Sequence, residues 1–129
     1  MDSNDLSENE NGFLQKNLEN TFYWYHKRAE NENEFAQLQL ALLYYRGEGT
    51  ERNLEKAFYW FQKAAENGNI KAQFILALLY ETEKNLENAF YWYQKAAENE
   101  NIEAQFNLTF SYKNGEGTEK NLEKAANIL

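Results

Sequence analysis

Apolar residues recur along most of the chain with the spacing of one face of an α-helix. Between Asn53 and Asn67 the apolar side chains fall on one side of a helix, and most of the charged and amide side chains fall on the other. We call this type of segment helix B. A second type, helix A, has the same periodicity and runs from about Phe35 to Arg46, Ile70 to Tyr80 and Ile102 to Asn114. The pattern predicts an all-α chain.

The helix-B segment is repeated. A block close to NLExxFYWYxKxAEN occupies residues 17–31, 53–67 and 85–99 and begins again at Asn121, so that its starts lie 36, 32 and 36 residues apart. This spacing is typical of one helix-turn-helix unit in a stacked array. We predict an α/α superhelix of about three repeats, with roughly seven antiparallel-paired helices, over residues 13–129. Residues 1–12 are acidic and almost without apolar side chains, and we predict that they form a disordered tail.

Asparagines and glycines mark the expected helix boundaries. Asn53 suits the N-cap of a helix, because its short side chain can accept a hydrogen bond from an unpaired backbone N–H. The other copies repeat the signal at Asn17, Asn85 and Asn121. Residues 46–50 and 114–118 join helix A to helix B through a Gly-Glu-Gly turn. The middle copy lacks four residues at this point, so we predict that its helix A is about one turn shorter.

Short motifs in each copy carry a family resemblance. Helix A opens with Ala-Gln followed by Leu-Ala or Leu-Thr, and helix B carries Lys-Ala or Asn-Ala, an aromatic pair and Lys-Ala-Ala. The Ala-Gln pairs are Ala36-Gln37, Ala72-Gln73 and Ala104-Gln105. Together with the Gly-Glu-Gly turn, these motifs resemble the Sel-one-like repeat, a relative of the tetratricopeptide repeat, from about Asn17 to Leu129. The resemblance implies an adaptor or scaffold in signalling or protein quality control, without catalytic residues or a cofactor; some relatives accompany protein kinase domains.

Two copies depart from this pattern. The first helix B has Thr21 and Arg28 where the next copy has Ala57 and Ala64, and a charged residue at a small buried position fits an end helix with one side open to water. The last copy, which ends at Leu129, does not supply the aromatic pair. It is either a truncated helix or part of a longer array.

Composition narrows the function classes. The formal net charge of −8 opposes binding to phosphate backbones and anionic lipid surfaces, so neither nucleic acid nor membrane is an expected partner. The chain has no Cys and a single histidine, His26, which argues against a metal site or a nucleophile-base pair. Residues 1–12 lack the basic start and apolar core of a signal peptide, and we expect a cytosolic or nuclear location.

The aromatic residues fall into two sets by repeat position. Trp24, Trp60 and Trp92 are equivalent and are expected to pack in the core between neighbouring helices. Tyr23, Tyr59 and Tyr91 are equivalent on the polar side of helix B. We predict that they form an outer stripe of partly exposed rings, each lying along its own helix.

The candidate binding surface lies on helix A, opposite or beside its core-facing residues. In the resembling families helix A lines the concave side of the superhelix. Leu42, Leu78 and Phe110 share one repeat position there and suggest a groove for an apolar peptide or helix with basic flanks. The alternative is that the next repeat buries them. The full candidate set is Gln39, Leu42, Arg46, Ile75, Leu78, Asn107, Phe110 and Asn114.

Two other functions compete with a non-catalytic protein-binding module. The first is end-to-end self-association, in which an unfinished apolar edge stacks on another copy. That edge comprises Ala125, Ala126, Ile128 and Leu129. The second is a hydrolase that acts through His26 and a carboxylate.

Overall fold

The computed structural model describes residues 3–128, with side chains from Glu10 onward, and this part of the chain contains seven α-helices and no strand. The helices are α1 Ser3–Glu30, α2 Glu34–Arg46, α3 Leu54–Glu66, α4 Ile70–Thr82, α5 Leu86–Glu98, α6 Ile102–Asn114 and α7 Leu122–Ile128. Helices α2, α4 and α6 are the predicted A helices, and α1, α3, α5 and α7 contain the predicted B helices. The predicted all-α solenoid class is confirmed.

The chain divides into two compact units, Met1–Trp60 and Phe61–Leu129. In the first unit α1 packs on α2, and the ring of Phe22 meets the ring of Tyr44 edge-on at 5.2 Å between centroids. In the second unit α4, α5, α6 and α7 pack in succession, and Phe90 and Tyr112 make the equivalent edge-on contact at 5.4 Å. The same helix B to helix A junction is therefore built in both units.

Small residues let the helices approach closely. The alanine that opens each A helix is buried, at Ala36, Ala72 and Ala104. The glutamine after it reaches back to the end of the preceding helix B: Gln37 Nε2 donates to the Ala29 carbonyl oxygen and Gln73 Nε2 to that of Ala65, both at 3.1 Å. A buried polar group is thereby satisfied, and the bond fixes the angle at which the chain enters each A helix.

The N-terminal segment differs from the sequence prediction. Helix α1 begins at Ser3, so residues 3–12, predicted to be a disordered tail, are helical, while residues 1 and 2 lie outside the described part. The predicted helix start at Asn17 is wrong, because Asn17 lies inside α1 and its carbonyl oxygen accepts a bond from the Thr21 hydroxyl. Residues 10–17 are exposed, including Phe13 and Leu14. These side chains make no core, so the structure does not test the predicted start of the folded domain at residue 13. That boundary stays a prediction.

The remaining predicted caps are confirmed. The Oδ1 atoms of Asn53, Asn85 and Asn121 accept bonds from the backbone N–H three residues later, at 2.9, 3.3 and 2.9 Å. Each bond satisfies one of the backbone donors that a helix start leaves without a partner.

The predicted shortening of the middle A helix is wrong. Helix α4 has 13 residues, the same length as α2 and α6. The four missing residues are taken from the connection to the next helix, which spans 83–85 in place of 47–53 or 115–121. The deletion therefore falls in the connection and leaves the number of turns in helix A unchanged.

Candidate protein-binding surface

The three A helices present equivalent faces because they begin in the same way. Each starts after an asparagine whose Oδ1 accepts a bond at 2.8 Å from the N–H of the buried alanine. These asparagines are Asn33, Asn69 and Asn101. With the start fixed and the alanine in the core, the helical period decides which later residues point away from it. These three caps were not among those predicted from sequence, although each asparagine precedes a helical apolar pattern.

The predicted site residues lie on this outward side to different extents. Leu42 is half-buried, Leu78 is 39% exposed and Phe110 is 55% exposed. Gln39, Ile75 and Asn107 are half-buried, whereas Arg46 and Asn114 are exposed at the last residues of their helices. Gln39, Leu42 and Arg46 belong to the first unit, and the other five belong to the second.

Two exposed residues extend the predicted set on α6. Ile102 and Phe106 are 66% and 57% exposed, and with Phe110 they recur every four residues along one face. We call Ile102, Phe106 and Phe110 the α6 stripe. Ile102 and Phe106 were not among the residues predicted from sequence. Leu38, which is equivalent to Phe106, is buried in α2. The sequence holds no signal for the exposure of Phe106, because Phe74 is the same residue type at the same repeat position and is half-buried.

On α4, the residue equivalent to the middle of the α6 stripe is partly covered by the next helix. Phe74, the equivalent of Phe106, is half-buried, and its ring centroid lies 6.1 Å from that of Tyr93 on α5. The Tyr93 hydroxyl donates to the Glu81 carboxylate, and burial together with this carboxylate raises the pKa of Tyr93 well above its usual value. The phenol is therefore neutral at physiological pH and ties α5 to the end of α4.

The outer tyrosines agree with the prediction. Tyr23, Tyr59 and Tyr91 are about half exposed, and Lys27 Nζ and Lys95 Nζ lie 5.0 and 5.6 Å from the ring centroids of Tyr23 and Tyr91. The lysine four residues later thus covers a ring of its own helix by a cation–π contact.

The three tryptophans do not share one environment. Trp92 is buried as predicted, and Trp60 is half-buried against His26, but the prediction is wrong for Trp24, which is 59% exposed. The Arg28 guanidinium instead lies 5.3 Å from the Trp24 ring centroid, with its charge in solvent.

His26 is half-buried against aromatic side chains of α1 and α3. Its ring lies 5.7 Å from Phe22 and 6.1 Å from Trp60, and its Nδ1 is 2.8 Å from Glu30 Oε1. The described part of the chain contains no cluster of three His or carboxylate side chains able to hold a metal ion. None of its helices is both long and apolar enough to cross a membrane.

Comparisons with known proteins account for nearly the whole chain. The family model for the Sel1 repeat matches residues 5–33, 35–69, 70–101 and 102–128. A search of curated proteins finds no match.

Among solved structures, a Sel1 repeat protein from Oxalobacter formigenes is 32% identical with a TM-score of 0.80, over 85% of this chain and 47% of that one. A protective antigen of uropathogenic Escherichia coli with an SLR fold is 37% identical with a TM-score of 0.73, over 83% of this chain and 24% of that one. The chain thus spans about half of the first protein and about a quarter of the second. Sel1 repeats generally serve as protein–protein interaction scaffolds. With four repeat matches along its length, the chain belongs to the Sel1 repeat family.

Proposed function

We propose that this chain is a non-catalytic adaptor module whose helix-A face binds an apolar peptide or helix of a protein partner. The observation that supports this most directly is the exposure of Leu78 and Phe110 at one repeat position on successive A helices. Leaving such side chains in water forgoes the free energy of burying them. Apolar residues repeated in register on the surface of a monomer are typical of interaction sites.

The spacing of these residues favours a helical or extended apolar ligand. Ile102, Phe106 and Phe110 form a stripe two helical turns long, and a ligand helix can lay its own apolar stripe along it. The net charge of −8 favours a partner whose apolar segment has basic flanks, since opposite charges speed encounter and select among partners.

The contacts of His26 support the non-catalytic part of the proposal. Its ring packs beside Phe22 and Trp60, and its Nδ1 meets the Glu30 carboxylate one turn further along the same helix, which gives His26 a role in packing. A hydrolase built on His26 and a carboxylate predicts measurable turnover that is lost in His26→Ala.

The binding proposal is tested by selecting helical peptides from a display library on the wild-type chain. The selected peptides are then measured against Leu78→Asp/Phe110→Asp, and we expect their affinity to fall at least about a hundredfold, as is typical when central apolar contacts are removed. The matched control is Tyr59→Asp/Tyr91→Asp, which places the same charges on exposed rings of helix B.

Circular dichroism must show that both double variants keep their helices. Equal loss of affinity in the two variants would mean that added charge, and not the helix-A face, is responsible. Peptides that bind the Leu78→Asp/Phe110→Asp variant as tightly as the wild type would disprove the proposed face.

A further inference from the structure

The hydroxyl of Tyr93 links two A helices of the second unit. Tyr93 lies on α5 and is buried, and its hydroxyl donates to the Glu81 carboxylate at the end of α4. The Asn107 side chain of α6 makes a hydrogen bond to the same hydroxyl. We call Glu81, Tyr93 and Asn107 the Tyr93 polar group. One buried side chain of a B helix thus holds a carboxylate of one A helix near an amide of the next.

The Tyr93 polar group lies beside the apolar residues of the candidate binding surface. Glu81 follows Leu78 by three residues, and Asn107 precedes Phe110 by three, so that in each helix the polar and the apolar side chain are neighbours on one face. Glu81 is exposed and Asn107 is half-buried. A ligand that contacts Leu78 and Phe110 would therefore also meet polar atoms of this group.

The polar group is particular to this part of the chain. By repeat position, Glu81, Tyr93 and Asn107 correspond to Tyr45, Phe61 and Ile75. None of these three earlier residues has a carboxylate or an amide side chain, and Phe61 has no hydroxyl. The hydrogen bonds of Tyr93 are therefore not needed to build the repeat, since the chain also builds it with phenylalanine at this position.

The charge of the group is negative and lacks a basic neighbour. Among the described side chains, no lysine, arginine or histidine lies within ion-pair distance of Glu81. Burial and the Glu81 carboxylate raise the pKa of Tyr93, and the Glu116 carboxylate adds to this rise, so a second negative charge lies nearby. A carboxylate can accept several hydrogen bonds, and the bond from Tyr93 leaves capacity for another donor.

We propose that Glu81, held by Tyr93 next to Asn107, binds a lysine or arginine side chain of the peptide that the helix-A face recognises. The inference rests on the proposed function and specifies its partner, a peptide with a basic residue about one helical turn from an apolar one. An ammonium or guanidinium group has donors and no acceptor, which suits the oxygens of a carboxylate and an amide. Its apolar stem can lie along Leu78 or Phe110 while the charge reaches Glu81.

Tyr93 acts as a positioning residue in this site. An exposed ion pair usually contributes little, because two flexible side chains must be ordered to form it. The bond from the buried Tyr93 hydroxyl orders Glu81 before a ligand arrives. Less conformational entropy is then lost on binding, so the pair contributes more to affinity than a free surface carboxylate would.

The test starts from helical peptides selected by display on the wild-type chain. We expect the selected peptides to carry lysine or arginine near an apolar residue. Replacing that basic residue by norleucine, which keeps an apolar stem, should weaken binding at least about tenfold. Glu81→Gln keeps an oxygen that can accept the Tyr93 bond but removes the charge. It should weaken the basic peptide by a similar factor and leave the norleucine peptide unchanged.

Two further variants separate the site from general charge and from packing. Glu83→Gln removes the same charge two residues later, in the connection after α4, and should change the affinity of the basic peptide by less than about twofold. Tyr93→Phe should weaken the basic peptide about threefold and spare the norleucine peptide. Circular dichroism must show that every variant keeps its helices, as Phe61 at the equivalent position leads us to expect.

The outcomes distinguish this inference from the function on which it rests. Selected peptides without a basic residue, or equal effects of Glu81→Gln on the two peptides, would overturn the basic-residue site. The helix-A face would still stand if Leu78→Asp/Phe110→Asp abolishes binding. Equal losses for the two peptides in Tyr93→Phe would overturn the positioning role of Tyr93. Peptides that tolerate Leu78→Asp/Phe110→Asp, or a wild-type chain that selects no peptide, would overturn both the face and the site.

Discussion

Two connections in the second unit join the same kinds of helix by different lengths of chain. Three residues, 83–85, connect α4 to α5, and seven residues, 115–121, connect α6 to α7. Both end in the same hydrogen bond, from the N–H of the N-cap asparagine to a tyrosine carbonyl oxygen near the end of helix A. It joins Asn85 to Tyr80 at 2.9 Å and Asn121 to Tyr112 at 2.7 Å. The start of helix B is thus fixed relative to helix A, and loop length is free to vary.

The two connections make the turn by different means. In the long one, Gly115 closes α6 in the left-handed conformation, with φ 69°, and its N–H donates to the Ser111 carbonyl oxygen. Gly117, with φ 71°, then lies directly on the backbone of Leu86 in α5. In the short one, the left-handed residue is Lys84, with φ 61°, and it has a side chain that this conformation disfavours. The long loop therefore adds a backbone contact with the preceding helix B, and the short loop makes its turn with local strain.

The largest expected loss of stability comes from replacing Gly117, and it should exceed the loss from replacing Gly115 in the same long loop. A Cβ at Gly117 would overlap the carbonyl oxygen of Leu86, so Gly117→Ala adds a steric clash to the cost of a positive φ. We expect the free energy of unfolding to fall by about 3 kcal/mol or more, measured by urea denaturation.

Gly115→Ala is the matched control, because its φ is nearly the same but the nearest atom to an added Cβ is 3.4 Å away. Its cost should be the conformational one alone, about 1 to 2 kcal/mol. Equal losses in the two variants would show that Gly117 does not touch α5 closely.

The second prediction concerns the asparagine at the end of each connection. Asn121→Ala removes a capping bond of 2.9 Å, and Asn85→Ala removes one of 3.3 Å. We expect losses of about 1 kcal/mol in the free energy of unfolding, larger for Asn121 than for Asn85, by thermal denaturation. Asn17→Ala is the control inside α1 and should be neutral or slightly stabilising, since Ala favours a helix interior. A comparable loss at Asn17 would mean that α1 is capped there in solution.

These positions show how far the sequence determines the structure. Asn17 and Asn85 begin nearly the same sequence, and so do the stretches around Trp24 and Trp92, yet one asparagine is inside a helix and the other caps one. Caps, glycine turns and helical periods depend only on nearby residues in the sequence. From them the helices α2 to α7 were predicted to within two residues at most ends. Whether a face is covered depends on which helix packs next, and a repeated local sequence carries no information about that.

On the candidate surface, too, some exposures could be predicted from the sequence and others could not. The outward direction of Leu78 and Phe110 follows from counting along the helix, and the structure places both at the surface. The exposure of Phe106 could not be found by that count, because Phe74 has the same residue type at the same repeat position and is half-buried under Tyr93. That helix A binds a partner through this face stays a prediction.

The third prediction relieves the strain in the short connection. Lys84→Gly should raise the free energy of unfolding by about 0.5 to 1 kcal/mol, since glycine removes the penalty of the positive φ but adds disorder to the unfolded chain. Glu83→Gly, at φ −84°, is the control in the same loop and should lower it, because there is no strain to remove. A loss in Lys84→Gly, measured by thermal denaturation, would mean that the Lys84 side chain contributes more than its backbone costs.

The smallest expected effect comes from turning the long connection into the short one. Deleting residues 115–118 leaves Glu119-Lys120-Asn121, the same three residues as Glu83-Lys84-Asn85. A shorter loop gains about 0.6 kcal/mol in closure entropy, which is offset by the lost contact with α5 and by a lysine in the left-handed conformation. We expect a net change in the free energy of unfolding within about 1 kcal/mol of zero, with unchanged helical circular dichroism. The backbone amide of Asn121 should also stay protected from hydrogen exchange, because its bond to the Tyr112 carbonyl oxygen is kept. An unprotected amide or a shorter α6 would show that loop length, and not packing, sets where helix A ends.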